Sequence, residues 1–463
     1  MRFSELAPLS MARVAVVLPR ARLRDVLIEL ADSGSMEIDP LGRDERDTGP
    51  AAELARQAPG DATARLSRNA PDLDRLRELG AWDLIAGEAE LSRRERDAIE
   101  HGPAAVLAGW VPSRELETLA ERLTRLGASL VRLPRPRGTE PPTHLLDRGL
   151  RRSLRPLVST YAVVPYEDVD PSLFAGITYV LMFGMMFGDV GHGLLLAALG
   201  GMLARSRAPR LQSLRKLWFF PVGAGLVAAA FGLLYGEAFG PTGLVRTLWL
   251  SPLEEPVRLL VAALGLGALL IGISYLIGIV NRWREGGAGL ALYAVSGVAG
   301  AALFVGAALV AMAFAGGSGL LGIAGGVLAS AGLLLTYIGL HAGAGESGAA
   351  AVAEALVELF DTVIRICANV ISFARLAAFG MTHAALGFAV WEGTRALWGP
   401  GPEALAAIVL FLVGNAVAFA LEALVAGVQA LRLEYYELFS RLFSGQGRLF
   451  EPWHVPVASE ESP

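Results

Sequence analysis

The stretch NVISFARLAAFGMTHAAL, residues 369 to 386, is apolar enough for a lipid bilayer, yet Arg375 stands near its middle. A guanidinium keeps its proton in proteins, so this charge cannot be neutralised to suit hydrocarbon. At mid-membrane it costs at least ~2.5–3.5 kcal/mol on insertion scales, which requires it to face protein or water. Two readings stand open: a structural ion pair with Asp361 or Glu422, or a fixed charge on an ion pathway. On one continuous helix, at about 100° per residue, Asp361, Ser372 and Arg375 fall within about 40° of one face. A carboxylate, a hydroxyl and a guanidinium then form a polar stripe, with His383 about 80° from Arg375 at its edge. His383 reads either as a hydrogen-bonded packing residue or as a proton carrier.

A second polar set lies in LEALVAGVQALRLEYYELFSRLF, residues 421 to 443. Glu422 and Gln429, seven residues apart, share a helix face, and Arg432 sits beside it. Glu422 is suited to carrying a proton or pairing with an arginine; Gln429 can orient an arginine or a water chain. Glu434 and Glu437 are expected at the membrane interface, hydrated. Asp189, in GMMFGDVGHG, is either a helix cap at a break or part of an ion entrance. No phosphate-binding G-x-x-x-x-G-K-[ST] loop is present, and the single lysine, Lys216, excludes one. The six histidines show no metal-ligand spacing and no Gly-x-Ser-x-Gly elbow occurs, so no metal, cofactor or covalent chemistry is expected.

These residues need apolar helices to hold them, and the chain is rich in candidates. Of 463 residues 53% are hydrophobic and 18% charged, a balance that fits a membrane protein with a soluble portion. Apolar blocks lie near 173–204, 217–239, 258–281, 287–315, 318–341, 360–398 and 403–440. Basic loops 205–216 and 281–287 should stay cytoplasmic, while 240–256 faces outside. If the N-terminal region and loop 205–216 share a side, block 173–204 must enter and return as a broken or re-entrant hairpin at FGDVGHG. That makes about eight membrane segments in an all-α domain over 173–443, followed by a cytoplasmic tail, 444–463.

Ahead of them, ARVAVVLPRARLRDVLIELADSGSMEI and AAVLAGWVPSRELETLAERLTRLGASLVRL each read strand, Pro-led helix, glycine stop, strand. This echo predicts a small α/β soluble domain over 1–133, with a short helical arm at about 43–102. A Pro-rich linker, 134–172, follows. The N-terminus lacks a signal-peptide pattern, so this domain is expected in the cytoplasm. The arginine-rich composition points to a bacterial source. The net charge of −5, without a basic stripe, argues against a nucleic-acid partner, and the lone Cys367 cannot form an intrachain disulfide.

Four stretches together resemble membrane subunit a (also called I) of V-type and A-type rotary ATPases, the 116 kDa subunit family. They are GWVP (109–112), PPTHLLDRGLRRSLRPLVSTYAVVPYEDVDPS with the following FGMMFGDVGHGLLL, NVISFARLAAFGMTHAAL, and LEALVAGVQALRLEYYELFSRLFSGQGRLFEP. By that resemblance, Arg375 and Arg432 match the family's two membrane arginines and Glu422 its buried glutamate. Asp361 and Asp189 match half-channel acids, His383 matches the family histidine, and Gln429 stands where some members carry His. The resemblance implies a non-catalytic, ion-translocating stator subunit moving H⁺ or Na⁺ between two half-channels. Implied partners are a rotor ring of small hairpin subunits with membrane carboxylates, peripheral-stalk subunits, an ATP-hydrolysing sector and the lipid bilayer.

Two departures stand out. The soluble portion is roughly half the family's usual size, its coiled-coil arm shortened to a stub, and Ser-Phe-Ala precedes Arg375 where Ser-Tyr-Leu is frequent. In upright helices Arg375 would lie about 21 Å deep and Arg432 about 43 Å along its helix, so the last two helices are expected to be long and markedly tilted. The rival readings are an independent secondary transporter, which usually shows paired repeats not found here, and a non-transporting assembly scaffold.

Overall fold

The computed structural model describes residues 8–40, 49–58, 60, 62–136, 139–145, 150–343, 348–443 and 447–458. Parts of the predicted arm (43–48, 59, 61), linker (137–138, 146–149) and tail (444–446, 459–463) lie outside the described residues. The rest forms two compact units, one built from the described residues between 8 and 145 with 447–458, the other from those between 150 and 443.

The first unit realises the internal echo. Strand β1 (Met11–Pro19), helix α1 (Leu23–Ser33) and strand β2 (Glu37–Ile38) make one β-α-β unit. Strands β3 (Ile99–His101) and β4 (Ala104–Pro112), helix α5 (Leu116–Arg125) and strand β5 (Ser129–Arg132) make the second. Each helix is followed by a glycine in the left-handed region, Gly34 and Gly127, the usual way to end a helix at low steric cost. The two units interleave: the sheet order is β2-β4-β1-β5, with β3 also on β4 and every pairing antiparallel. β1 and β4 pair along their whole length, from Met11 opposite Pro112 to Pro19 opposite Ala104. Val14, Val16 and Leu18 alternate onto the buried face, where Val26, Leu27 and Leu30 of α1 and Leu116, Leu119 and Leu123 of α5 cover them. Each such side chain contributes about 1.5–3 kcal/mol on full burial.

The stretch read as an arm does not stand away from this core. Helices α2 (Pro50–Ala55), α3 (Leu73–Glu78) and α4 (Trp82–Arg96) fold back, Leu66 and Leu91 enter the main core, and Arg24 of α1 forms a bidentate pair with Glu88. Periodicity alone could not reveal this, because α4 is charged on most of its surface. The tail from Gly447 is also part of the unit. Trp453 N–H donates to the Met36 carbonyl, and Leu66 bridges Val457.

The second unit is helical. Helix α6 (Leu150–Ser159) is followed by α7 (Ser172–Met186) and α8 (Val190–Arg205), so block 173–204 is indeed divided, at Phe187–Asp189. Next come α9 (Gln212–Arg215), α10 (Phe219–Tyr235), α11 (Pro256–Tyr293), α12 (Val298–Gly316) and α13 (Gly319–Gly343). Helices α14 (Ala349–Ser372), α15 (Ala374–Ala396) and α16 (Pro402–Leu433) follow; a π-helical turn over Glu434–Phe439 then runs into α17 (Ser440–Leu442). Among the described residues five helices are long and apolar enough to cross a membrane: α11, α12, α13, α14 with α15, and α16 through α17. Helices α7, α8 and α10 are apolar but shorter.

One expectation is corrected. Residues 281–287 are not a loop: α11 continues through them to Tyr293, kinked at Gly287 (φ 71°), with Asn281 and Arg282 buried. Only glycine adopts that backbone without strain, so the basic run bends a helix instead of ending it. The turn falls at Ala294–Gly297.

Small residues set helix spacing here. A Cβ on Gly225 of α10 would lie 2.4 Å from the Gly193 carbonyl oxygen of α8, and one on Gly306 of α12 would lie 2.4 Å from Ala329 N of α13. Such contacts let backbones approach in a lipid environment, where apolar side chains gain little from leaving hydrocarbon. Gly265, by contrast, faces open space. In an exposed helix interior Ala is favoured over Gly by about 0.5–1 kcal/mol. Gly265→Ala should therefore leave thermal unfolding in detergent unchanged or slightly raised, while Gly225→Ala lowers it. Equal melting temperatures for the two variants would refute the close packing of α8 on α10.

Candidate functional site

Arg375 owes its surroundings to a break in its helix. Phe373 separates α14 from α15, and Leu376 N–H bonds the Phe373 carbonyl instead of the Ser372 carbonyl. The Phe373 ring is fully buried against Gly267, where any Cβ would overlap it. The Ser372 carbonyl, left without a helical donor, accepts from Arg375 Nε at 2.9 Å. Arg375 Nη2 donates to Glu437 Oε1 at 3.0 Å, and Nη1 takes no partner among the described residues. Glu437 is the more deeply buried of the two, with side chains 8% and 24% exposed respectively.

The pairing corrects two expectations. The Arg375 partner is neither Asp361 nor Glu422, and the continuous helix on which Asp361, Ser372 and Arg375 shared a face is interrupted. Asp361 instead pairs with Arg365 one turn on, both largely exposed. Nor are Glu434 and Glu437 hydrated: they are 0% and 6% exposed. Glu434 accepts from Thr178 of α7 at 2.7 Å. The spacing did hold a signal for them. Ala418, Glu422, Ala426, Ala430, Glu434 and Glu437 recur at three- and four-residue intervals and are all buried. The π-helical turn inserts both acids into this stripe, and such turns are frequent at functional positions.

From Glu437 the polar contacts run on. Asn369, with its amide oriented to satisfy its neighbours, donates to Glu437 Oε2 at 3.0 Å and accepts from Arg441 at 3.0 Å. Arg441 bonds the Tyr275 hydroxyl and lies 4.6 Å from the centre of that ring. Asn369, Arg441, Asp361, Arg365, Glu358 and Arg282 line a cavity of about 460 Å³. The chain of contacts therefore connects this cavity to Arg375.

A second polar cluster forms on the other side of Arg375 along the chain. His383 of α15 and Glu422 of α16 form a buried hydrogen-bonded pair. Asp189 caps α8: Oδ1 accepts from His192 N–H at 2.8 Å and Oδ2 from Gly240 N–H at 2.9 Å. Capping is thus realised, and the fold also carries Asp189 and His192 to His383, whose ring centre lies 5.6 Å from that of His192. His383 and Glu422 line a separate cavity of about 240 Å³. His192 and Glu237, both buried, were not singled out in the sequence; the motif FGDVGHG held His192 in view, but Glu237 carries no local signal.

Gln429 is half-buried on α16, its Oε1 without a hydrogen bond. Arg432 is exposed, and no described carboxylate lies within 4.0 Å of it. It emerges on a face whose other members, Val417, Leu421, Leu424 and Val428, are exposed and apolar. Arg375 and Arg432 thus differ: one is held by a carboxylate, the other offers a free guanidinium on an apolar surface.

The profile of the V-type ATPase 116kDa subunit family matches residues 99–249. An A-type ATP synthase subunit I from Thermococcus kodakarensis is 26% identical over 75% of this chain and 53% of its own length. That of Archaeoglobus fulgidus is 28% identical over 75% of this chain and 58% of its own. A V-type ATP synthase subunit I 2 of Treponema pallidum is 31% identical over 42% of this chain and 50% of its own. Residues 99–249 are thus similar to this family, and the similarity to single relatives extends over about three quarters of the chain. The chain spans about half the length of the curated relatives it matches. The family match covers the α7–α8 break and its Asp189 cap, while Arg375 and Glu422 lie beyond residue 249.

Ahead of α7, Asp168 is fully buried and neither carboxyl oxygen accepts a hydrogen bond from a fixed donor. Burial, then the adjacent Glu285 carboxyl, pushes its pKa from 3.8 up to about 8. In this case the folded state holds a proton that the unfolded chain releases. Its contribution to stability is complete below about pH 4 and is lost as pH rises towards about 8. Wild-type protein in detergent should become easier to unfold across that window, and Asp168→Asn should flatten the dependence. An unchanged slope in the variant would show that Asp168 is already ionised when folded.

Proposed function

We propose that the chain is the ion-translocating stator subunit of an A/V-type rotary ATPase, moving H⁺ or Na⁺ against a separate rotor ring. One observation supports the reading: a polar network runs from Arg375 through Glu437, Asn369 and Arg441 to a cavity lined by Asp361, while His383, about two turns further along α15, lines a second cavity with Glu422. The two cavities suit two half-channels opening on opposite sides of the membrane, with Arg375 as the divide. Gln429 and Arg432 on α16, and Ser372 beside the break, supply the remaining polar groups.

The chemistry follows from partner exchange. A ring carboxylate arriving at Arg375 competes with Glu437 for the same guanidinium, whose Nη1 is already open. An opposite charge within about 4–6 Å lowers a carboxyl pKa by 1–3 units, so the arriving group releases its proton there. The fixed charge also repels a proton that would cross directly between the cavities. Lys would not substitute, because a buried ammonium can lose its proton and lacks the planar fork that holds Ser372 and Glu437 together. Arg432, on the exposed apolar face of α16, extends the positive barrier, and strong tilt of α14–α16 brings the two arginines to one level.

In this reading the subunit is not itself catalytic. Its partners are the ring of hairpin subunits, peripheral-stalk subunits and the ATP-hydrolysing sector. It is a multi-pass protein of the bacterial plasma membrane with both termini in the cytoplasm.

The test compares wild type with Arg375→Ala in vesicles holding the assembled complex, recording acidification and ATP hydrolysis together while Na⁺ is varied. Loss of the charge removes a pKa depression worth about tenfold or more in ionised ring carboxylate, so ATP-driven acidification should fall at least that far in the assembled variant. Pumping that survives the substitution would make Arg375 a structural ion pair and end this reading.

A further inference from the structure

We propose that Asp189, His192 and His383 bind a late first-row divalent cation, zinc above all, with Glu422 as the partner that orients His383. This goes beyond the transport reading and does not depend on it. The three side chains are buried, and one ligand atom from each lies within 4.8 Å of the others. They come from α15 and from the cap and first turn of α8, which is why no histidine spacing announces them.

The second observation is His192. It is 1% exposed, and neither ring nitrogen makes a hydrogen bond of ordinary geometry, the Asn415 backbone offering at most a weak one. An imidazole buried with no better partner is rare, because its desolvation is then poorly compensated. Its Nδ1 lies 3.8 Å from Asp189 Oδ1, too far for a hydrogen bond and suited to two ligands of one ion. Glu422 engages His383 through Nδ1, leaving the other ring nitrogen to coordinate. A carboxylate behind a ligating histidine fixes its tautomer and raises its basicity, an arrangement that recurs in zinc sites. Glu422 Oε1 is a further unpartnered buried oxygen.

Charge and access fit as well. A dication neutralises Asp189 and Glu422 together, which no arginine or lysine does at this cluster among the described residues. Two imidazoles and a carboxylate suit zinc and its neighbours, whereas calcium and magnesium require oxygen ligands in greater number. The rings of Phe187, Phe239 and Phe419 stand 5.3–5.9 Å from His192 and form an apolar shell. The cavity lined by His383 and Glu422 provides the way in. With bonds of about 2.0–2.1 Å, tetrahedral ligand atoms sit roughly 3.3–3.4 Å apart, so side-chain rotations must draw the set inward by about 1 Å.

Purified protein in detergent would be stripped with a chelator and titrated with Co²⁺, followed by its ligand-field absorption, then with Zn²⁺ as competitor. One Co²⁺ per chain, displaced by Zn²⁺, is expected. His192→Gln and His383→Gln should each abolish it, and Glu422→Gln should weaken it by roughly 10–100-fold. X-ray absorption on zinc-loaded wild type, which needs no variant, should show two imidazoles in the first shell. No bound ion at micromolar Zn²⁺, binding that survives the histidine substitutions, or a first shell without imidazole would each overturn the site.

Discussion

The organising constraint is the cost of a permanent charge among apolar helices. Arg375 cannot discharge, so the fold surrounds it with a carboxylate, a freed carbonyl and an open edge. Each provision has its own structural cause. Phe373 interrupts the helix and liberates the carbonyl, Gly267 makes room for the Phe373 ring, and the π-helical turn carries Glu437 inward. Removing one partner of such a buried pair leaves the other charge uncompensated, a larger loss than the pair's net contribution. The break and the turn are therefore part of one arrangement.

That arrangement also divides the polar residues into two groups. The Asp361 cavity reaches Arg375 through Asn369, Arg441 and Glu437, a hydrogen-bonded path. The His383–Glu422 pair opens onto a different cavity, with Asp189 and His192 behind it. Cavities that merged would let an ion pass without meeting the guanidinium. The proposed translocation needs two such cavities kept apart with the fixed charge between them.

Much of this was legible in the sequence, and the limits have physical reasons. Apolar length marks membrane-compatible helices, and FGDVGHG marks the break, because glycines beside a capping Asp leave few alternatives. The repeated strand–helix–glycine–strand order announces the α/β unit, although its interleaved pairing is a tertiary matter. Hidden from local pattern were the pairings across distant segments: Arg375 with Glu437, Glu434 with Thr178, and His192 with His383. Residue type misled at Glu434 and Glu437, where acids beside tyrosines near a helix end read as interfacial. The four-residue recurrence of alanines through Ala430 carried the better signal. The Gly287 kink shows the converse, a charged run inside a helix mistaken for its end.

Asp168 and Glu434 extend the same reasoning to carboxyl groups that form no ion pair among the described residues. Burial first, and the adjacent Glu285 carboxyl second, raise the Asp168 pKa more than Arg282, itself paired with Glu285, lowers it. Glu434, enclosed beside Thr178, has a hydroxyl and no cation. Glu437 alone among these acids meets a guanidinium that is itself partly exposed. An arginine held by a fully enclosed carboxylate would be spent as structure. In the proposed mechanism, the open edge of Arg375 lets a second carboxylate displace the first without leaving either charge in hydrocarbon. Under the proposed function, it is the partial exposure of Arg375 beside a buried Glu437 that would suit the pair to exchange partners.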